Sequence, residues 1–268
     1  MSAVLALLLL ALRPSSALAA EPALTFYSGD RAALTVGAAD LRARKGARIV
    51  EIRDPFYGKA KRYRAVPLKD LLTAAYGPSW LENGVGEFFF EALDGYRSHA
   101  KTAILAEDGG MLAFEDADAP LWEEMPKERS KPGPFYLVWT GAAQTPDKAY
   151  PWPWQLLSVK PAILEDEYPK AVPRNVPSGS RATAGWTLFK SRCISCHAMN
   201  GQGGSVGPDL NEPRGITRYH DKDHLKAYIH RASAFRHTKM PDFDELEPRE
   251  LDDLMAYFDF LSVQSGTK

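Results

Sequence analysis

Up to about position 167 the apolar residues come in short runs broken by turn residues; beyond position 180 they recur every three or four residues. The first pattern predicts strands and the second helices, because side chains alternate with period 2 in a strand and repeat every 3.6 residues in a helix. Candidate strands cover 47–53, 87–93, 98–105, 135–140 and 155–159, separated by Asp94-Gly95, Asp108-Gly109-Gly110 and Lys131-Pro132-Gly133-Pro134. One helix is predicted in this half, over 67–76, with Pro67 in its first turn and Gly77 after its end. In the other half, one helix carries Gly185, Trp186 and Phe189 towards Cys193. A second sets Leu225, Tyr228, Ile229 and Ala232 at helical spacing, and a third, opened by Pro248, does so with Leu251, Leu254, Tyr257, Phe258 and Leu261. Between them, 168–180 holds Pro169, Pro173, Pro177 and Gly179 with no apolar period, the composition of a linker. The expectation is two domains: α+β and sheet-rich over 21–167, all-α over 181–268.

The first twenty residues are a different case. An apolar run from Ala3 to Leu12 is followed by Pro14 and the small-residue pattern Ala17-Leu18-Ala19, which reads as a secretory signal cleaved near Ala19 or Ala20. The run is shorter than the about 20 apolar residues that span a bilayer, and an uncleaved anchor is the alternative. No later segment is long and apolar enough to cross a membrane, so the expected mature chain is exported and periplasmic. The full sequence's formal charge of -1 leaves no basic excess to displace counterions from phosphates, which sets nucleic acid aside.

Export sharpens the reading of Cys193 and Cys196, the only two cysteines, which stand in Cys193-Ile194-Ser195-Cys196-His197. An oxidising compartment closes free thiol pairs, so something should occupy these two. A thioredoxin-like pair needs a βαβ context that the helical surroundings do not offer. A zinc site could take Cys193, Cys196, His220 and His224, but the interval before His220 exceeds the about 12–15 residues usual for finger ligands. The third reading uses all five residues: Cys-x-x-Cys-His is the attachment motif of haem c, whose iron the histidine ligates. A second axial ligand must come from elsewhere. Met240, in a turn-like stretch between two helices, is the choice, with His237 its competitor; Met199 is too near His197, Met255 has core spacing, and His230 falls on a helix face. Arg214, Arg218 and Tyr219 are candidates to hold the propionates.

At these positions the chain resembles a class I c-type cytochrome over about 183–261. The resemblance rests on Gly185-Trp186-x-x-Phe189, the Cys193 to His197 motif, Gly207-Pro208-Asp209-Leu210, Lys239-Met240-Pro241 and the aromatic helix around Tyr257 and Phe258. It implies one covalent haem c held by Cys193 and Cys196, with His197 and Met240 on the iron. It also implies that the Gly207-Pro208-Asp209-Leu210 loop borders the cofactor, through Gly207, Pro208 and Leu210, and that the Pro208 carbonyl accepts the Nδ1 proton of His197; Arg218 and Tyr219, following that loop, are the cofactor-binding candidates for its edge. Finally, Gly185 should let the first and last helices approach closely.

The first half offers less chemistry. With no cysteine and one histidine, His99, between 21 and 167, a thiolate-held metal is excluded there. His99 reads as an ordinary, partly exposed histidine. Tyr63-Arg64-Ala65-Val66-Pro67-Leu68-Lys69-Asp70-Leu71-Leu72, Ala92-Leu93-Asp94-Gly95-Tyr96 and Pro153-Trp154-Gln155-Leu156 resemble the molybdopterin-oxidoreductase domain of the sulfite oxidase type. That family holds molybdenum through a cysteine that this chain lacks, so the implied role is a cofactor-free relative used for binding or docking, without molybdopterin. Basic residues crowd 42–64 and acidic ones 107–128, and a second acidic run covers 242–253; these are solvated faces or docking patches for a charged partner. Tyr150-Pro151-Trp152-Pro153-Trp154 reads as a stiff segment with indoles in the core. The expected function is an electron carrier or electron-transfer subunit serving a redox partner protein, such as a dehydrogenase, an oxidase or another cytochrome. The alternatives are a haem-linked oxidoreductase whose first domain turns over a small substrate, and a haem-based sensor or peroxidase with an open sixth position.

Overall fold

A computed structural model describes residues 21–82, 86–146, 150–177 and 179–264; the stretch read as a signal peptide, 1–20, lies outside them. The sheet-rich half holds two sheets. The first runs β2-β1-β9-β5-β6 and the second β3-β4-β7-β8. The strands are β1 (Ala23–Ser28), β2 (Arg31–Gly37), β3 (Arg48–Asp54), β4 (Lys59–Pro67), β5 (Glu87–Ala92), β6 (Arg97–Lys101), β7 (Gly110–Asp116), β8 (Tyr136–Trp139) and β9 (Leu156–Ala162). All neighbours are antiparallel except β1 and β9, which run parallel. Short helices α1 (Ala38–Ala43), α2 (Leu68–Tyr76), α3 (Thr102–Leu105) and α4 (Leu164–Glu167) join them. The expected helix over 67–76 is α2, with Pro67 at its cap and Gly77 beyond its end at φ +82°. One expected strand changes character. Residues 98–105 stop pairing at Lys101 and coil into α3, which drops Leu105 into the core.

The two opposed charge runs meet each other. β4 lies between β3 and β7, so its basic side chains face the acidic residues on and after β7. Arg42 and Arg64 both reach Glu115, Arg62 pairs with Asp118, and Lys59 with Glu123. Lys61 is buried, 2.7 Å from Asp116 and 2.9 Å from Glu123, with its ammonium over the Tyr57 and Tyr63 rings. Of the two readings of these runs, solvated faces or docking patches, the contacts leave less for docking: much of their charge is paired across one sheet. The later acidic run is also engaged, with Asp252 and Asp253 on Arg181 and Asp252 on Lys226.

The helical half is built on α5 (Arg181–Arg192) and α7 (Pro248–Gln264), with α6 (Lys222–His230) alongside. Ser180 caps α5 by accepting from the Thr183 amide, and Asp221 caps α6. The second expected helix ends sooner than its apolar spacing suggests, at His230, and Ala232–Ala234 is a separate tight turn. A two-residue ladder, β10 (Ala198–Met199) with β11 (Gln202–Gly203), is too short to mark the sequence. Where α5 crosses α7, a Cβ on Gly185 would lie 2.0 Å from the Asp253 carbonyl oxygen, so only glycine fits, as the resemblance implied. Phe189 stacks there against Tyr257 and Phe258, with centroids 5.3 and 6.0 Å apart.

The stretch over 168–180 is more than a spacer. Tyr168 and Ala171 are buried in the same apolar cluster as Trp186, Phe189, Leu254 and Tyr257, together with Leu164 and with Phe89 from β5. Tyr257 Oη donates to the Ala171 carbonyl at 2.7 Å, and Asn200 donates to the Lys170 carbonyl. The sheet-rich half thus supplies part of the helical half's core. His99 sits at this junction, its ring stacked on Phe89 at 5.6 Å and its Nδ1 buried without a partner. Burial, reinforced by Lys190 and opposed by Glu165, pushes its pKa down to about 4. The folded protein therefore keeps His99 neutral where the unfolded chain, titrating near 6.5, takes up a proton. Stability from this group is complete above pH 6.5 and is lost as pH falls from 6.5 towards 4, by up to ~1.4 kcal/mol per pH unit. Thermal melts across that window should show this loss in the parent and a flatter profile in His99→Phe.

Candidate functional site

The Cys193 to His197 motif begins where α5 ends. The amides of Cys193 and Ile194 bond the Phe189 carbonyl, and those of Cys196 and His197 bond the Cys193 carbonyl, which winds five residues into a tight turn. Ile194 is fully buried and pins the turn to the core, leaving Cys193 and Cys196 half-buried on either side. The two thiols are not bridged to each other. Burial pushes them up, Cys193 to about 12 and Cys196 to about 11. A dithiol redox catalyst needs the opposite, a thiol lowered towards neutrality so that the thiolate can attack.

His197 is positioned from the other side. Its Nδ1 lies 2.8 Å from the Pro208 carbonyl oxygen, which can only accept, so Nδ1 carries the proton and Nε2 keeps its lone pair free. Burial lowers the pKa of the ring, against the Pro208 bond and Asp209, which favours the neutral form that a metal needs. Gly207 makes the approach possible: a Cβ there would stand 2.4 Å from His197 Cε1. Gly204 likewise lies against the Ser195 carbonyl oxygen, where a Cβ would come within 2.0 Å.

Two residues that the sequence reading left without a role hold this loop in shape. Asp209 Oδ2 accepts from the Gly201 amide at 2.6 Å, while its Oδ1 accepts from the amides of Asn211 and Glu212. The Asn211 side chain donates to Asn200 and to the Leu261 carbonyl, tying the loop to α7. Only the spacing of Asp209 and Asn211 after Pro208, typical of side chains that cap their own backbone, could have pointed to them.

The remaining candidates divide. Leu210 is buried in the core beside Met199, its amide on the Ala198 carbonyl. Met240 is half-buried in the irregular stretch before α7, its amide held by Thr238 Oγ1 at 3.1 Å, whereas His237 is exposed. Met199 and Met255 are core residues. Arg218 is drawn towards α7, Nε donating to Ser262 Oγ at 2.9 Å, and Tyr219 is exposed with its ring 4.7 Å from that of His220. His220 and His224 lie 6.3 Å apart among Tyr219 and Phe235. Among the described residues no three of His, Cys, Asp and Glu gather to hold a metal ion, so the four ligands of the zinc alternative do not converge.

The donor set fits a haem c. Two unbridged, half-buried thiols flank a histidine whose proton is fixed on Nδ1, and a half-buried thioether stands on another loop. Val206, Tyr219 and Phe235, large apolar residues in the stretch between His197 and Met240, are exposed. Residues 182–262 match the family model of Cytochrome c. No curated protein matches the chain. The C-terminal half therefore contains a cytochrome c domain, which implies a covalently bound haem c and haem-based electron transfer. No helix among the described residues is long and apolar enough to cross a membrane.

Proposed function

We propose that this protein is an exported, periplasmic electron carrier or electron-transfer subunit with one haem c, whose sheet-rich half serves docking or binding. Bound at the Cys193 to His197 motif, haem c would supply one-electron oxidation and reduction at iron, tuned by its ligands and their surroundings. Cys193 and Cys196 would hold the ring through thioether bonds. His197 Nε2 and Met240 Sδ would ligate the iron. Pro208 fixes the His197 tautomer, which holds the ring's orientation and raises its basicity as a ligand. Gly207 admits the loop to the imidazole, and Leu210 anchors that loop in the core. Arg218 and Tyr219 remain candidates for the ring's edge; the bond from Arg218 to Ser262 supports Tyr219 the more. The single observation that carries the reading is the 2.8 Å contact between His197 Nδ1 and the Pro208 carbonyl oxygen, which leaves one nitrogen available at the attachment motif. Export is supported by the apolar run and small-residue pattern over 3–19.

In the sheet-rich half, the residues that resemble a molybdopterin-oxidoreductase domain fall on β4 and α2, on the turn between β5 and β6, and at the entry to β9. We read this half as a relative that works without that cofactor. Its redox partner would be a dehydrogenase, an oxidase or another cytochrome.

Met240→Ala tests the ligand set. The oxidised parent should show the Fe–S(Met) charge-transfer band in the far red; the variant should lose it and have a lower reduction potential, since a thioether favours ferrous iron. A parent without the band, or a variant that keeps it, would remove Met240 from the site.

A further inference from the structure

The turn between β5 and β6 reaches across to the loop that carries Ser195 and Cys196. Asp94 shapes it, accepting from the Tyr96 amide, and the Ala92 and Tyr96 backbones close it at 2.9 Å. Two backbone bonds then cross the junction: the Arg97 amide donates to the Ser195 carbonyl at 2.9 Å, and the Ser205 amide donates to the Gly95 carbonyl at 3.0 Å. The Tyr96 hydroxyl faces the Ser195 side chain. Its ring stacks parallel on Trp154 at 6.5 Å, and Trp154 packs edge-on against Phe56 at 5.0 Å, so the turn is braced from behind by its own domain. The fit at the tip is close. Gly95, at φ +85°, is closely packed: a Cβ would come within 2.0 Å of Ser205 Oγ, which would have to turn away, and 3.3 Å of Ser205 Cβ.

Ser195 precedes one attachment cysteine, and Ser205 precedes Val206 and Gly207, the glycine packed against the His197 ring. The turn therefore grips both strands of the loop on which the iron ligand rests. We infer that the β5–β6 turn is a positioning element for this loop, and that its docking raises the reduction potential of the iron by excluding water from the Cys196 side. This rests on the reading of 193–197 as a haem c site. The sign follows from charge: the oxidised iron carries one more positive charge than the reduced iron, water stabilises the more charged form, and burial without compensation favours the less charged one. The sheet-rich half then sets the electron affinity of the centre, besides serving as a docking unit.

The test compares four full-length holo-proteins with the parent. Gly95→Ala places a methyl against Ser205; Gly95→Ala with Ser205→Ala removes the obstructing hydroxyl; Tyr96→Ala removes the stack on Trp154 and the ring that faces Ser195. Gly58→Ala is the control, a turn glycine at φ +64° with nothing within 4 Å of a Cβ, so it carries the same backbone strain without the clash. Hydrogen exchange at the Arg97 and Ser205 amides reports docking, and a spectroelectrochemical titration reports the potential. Both amides should be protected in the parent and in Gly58→Ala, and exposed in Gly95→Ala and Tyr96→Ala. The ratio of reduced to oxidised iron at a fixed applied potential should fall in those two variants by about threefold or more, or ~28 mV at 59 mV per tenfold for one electron. The double variant should recover towards Gly58→Ala. Freed amides with an unchanged potential would overturn the inference, as would a Gly58→Ala shift equal to that of Gly95→Ala, or amides that stay protected in both Gly95→Ala and Tyr96→Ala. A parent whose mass shows no covalent haem would instead overturn the functional reading itself.

Discussion

Replacing Gly185 by alanine should destabilise the helical half by about 2 kcal/mol or more, although on helix propensity alone it would stabilise α5 by about 1 kcal/mol. The opposing effect is steric. The added Cβ would sit 2.0 Å from the Asp253 carbonyl oxygen and 2.6 Å from its carbon, both backbone atoms, and 2.7 Å from Tyr257 Cβ. None of these is the free end of a side chain that could swing away, so α5 and α7 must separate. Overpacking of this kind usually costs about 1–3 kcal/mol and sometimes more, and here separation also loosens Phe189 from Tyr257 and Phe258. Gly185→Val, with two further methyl groups at the same point, should prevent the half from packing at all. Thermal unfolding followed by circular dichroism checks both; an alanine variant that melts at or above the parent temperature would show that the helices do not depend on this contact.

The second large effect concerns attachment. Cys193→Ser with Cys196→Ser should abolish covalent haem, because these are the only two thiols in the chain. The consequence for folding should be nearly as severe. Val206, Tyr219 and Phe235 are exposed, and without the ring the double variant should be prone to aggregation and proteolysis. A single variant should retain one thioether and a shifted haemochrome spectrum. Denaturing gels stained for haem, with intact mass spectrometry, distinguish the three proteins. A double variant that still carries covalent haem would place the attachment elsewhere.

Much of the candidate site could be read from the chain because its key residues are close in sequence. Cys193, Cys196 and His197 form one turn, and Gly207 and Pro208 follow within one loop, so a motif is enough to assemble them. Gly185 was legible only through the resemblance to class I c-type cytochromes, which implies a close approach of the first and last helices there. What escaped the reading depends on partners far apart in the chain. β4 was hidden because Lys61 and its charged neighbours make it look solvated; only its pairing with β7 brings Asp116 under Lys61. β7 was hidden for the converse reason, being buried on both faces for most of its length, so no alternation marks it. Prolines made 168–180 look like a linker, yet Tyr168 and Ala171 pack with α7 once the two halves meet. His99 is partly exposed, as expected, and Phe89 stacks on it from the adjacent strand β5; only the influence of Lys190, which arrives when the halves meet, was out of reach of the sequence.

The intact mass and absorption spectrum of the full chain, expressed in cells that export and mature c-type cytochromes, test the central claim most directly. The account predicts a polypeptide heavier by one haem that survives denaturation and acid extraction, with a spectrum that cycles between oxidised and reduced forms. A polypeptide of unmodified mass, with Cys193 and Cys196 free or joined in a disulfide, would contradict it.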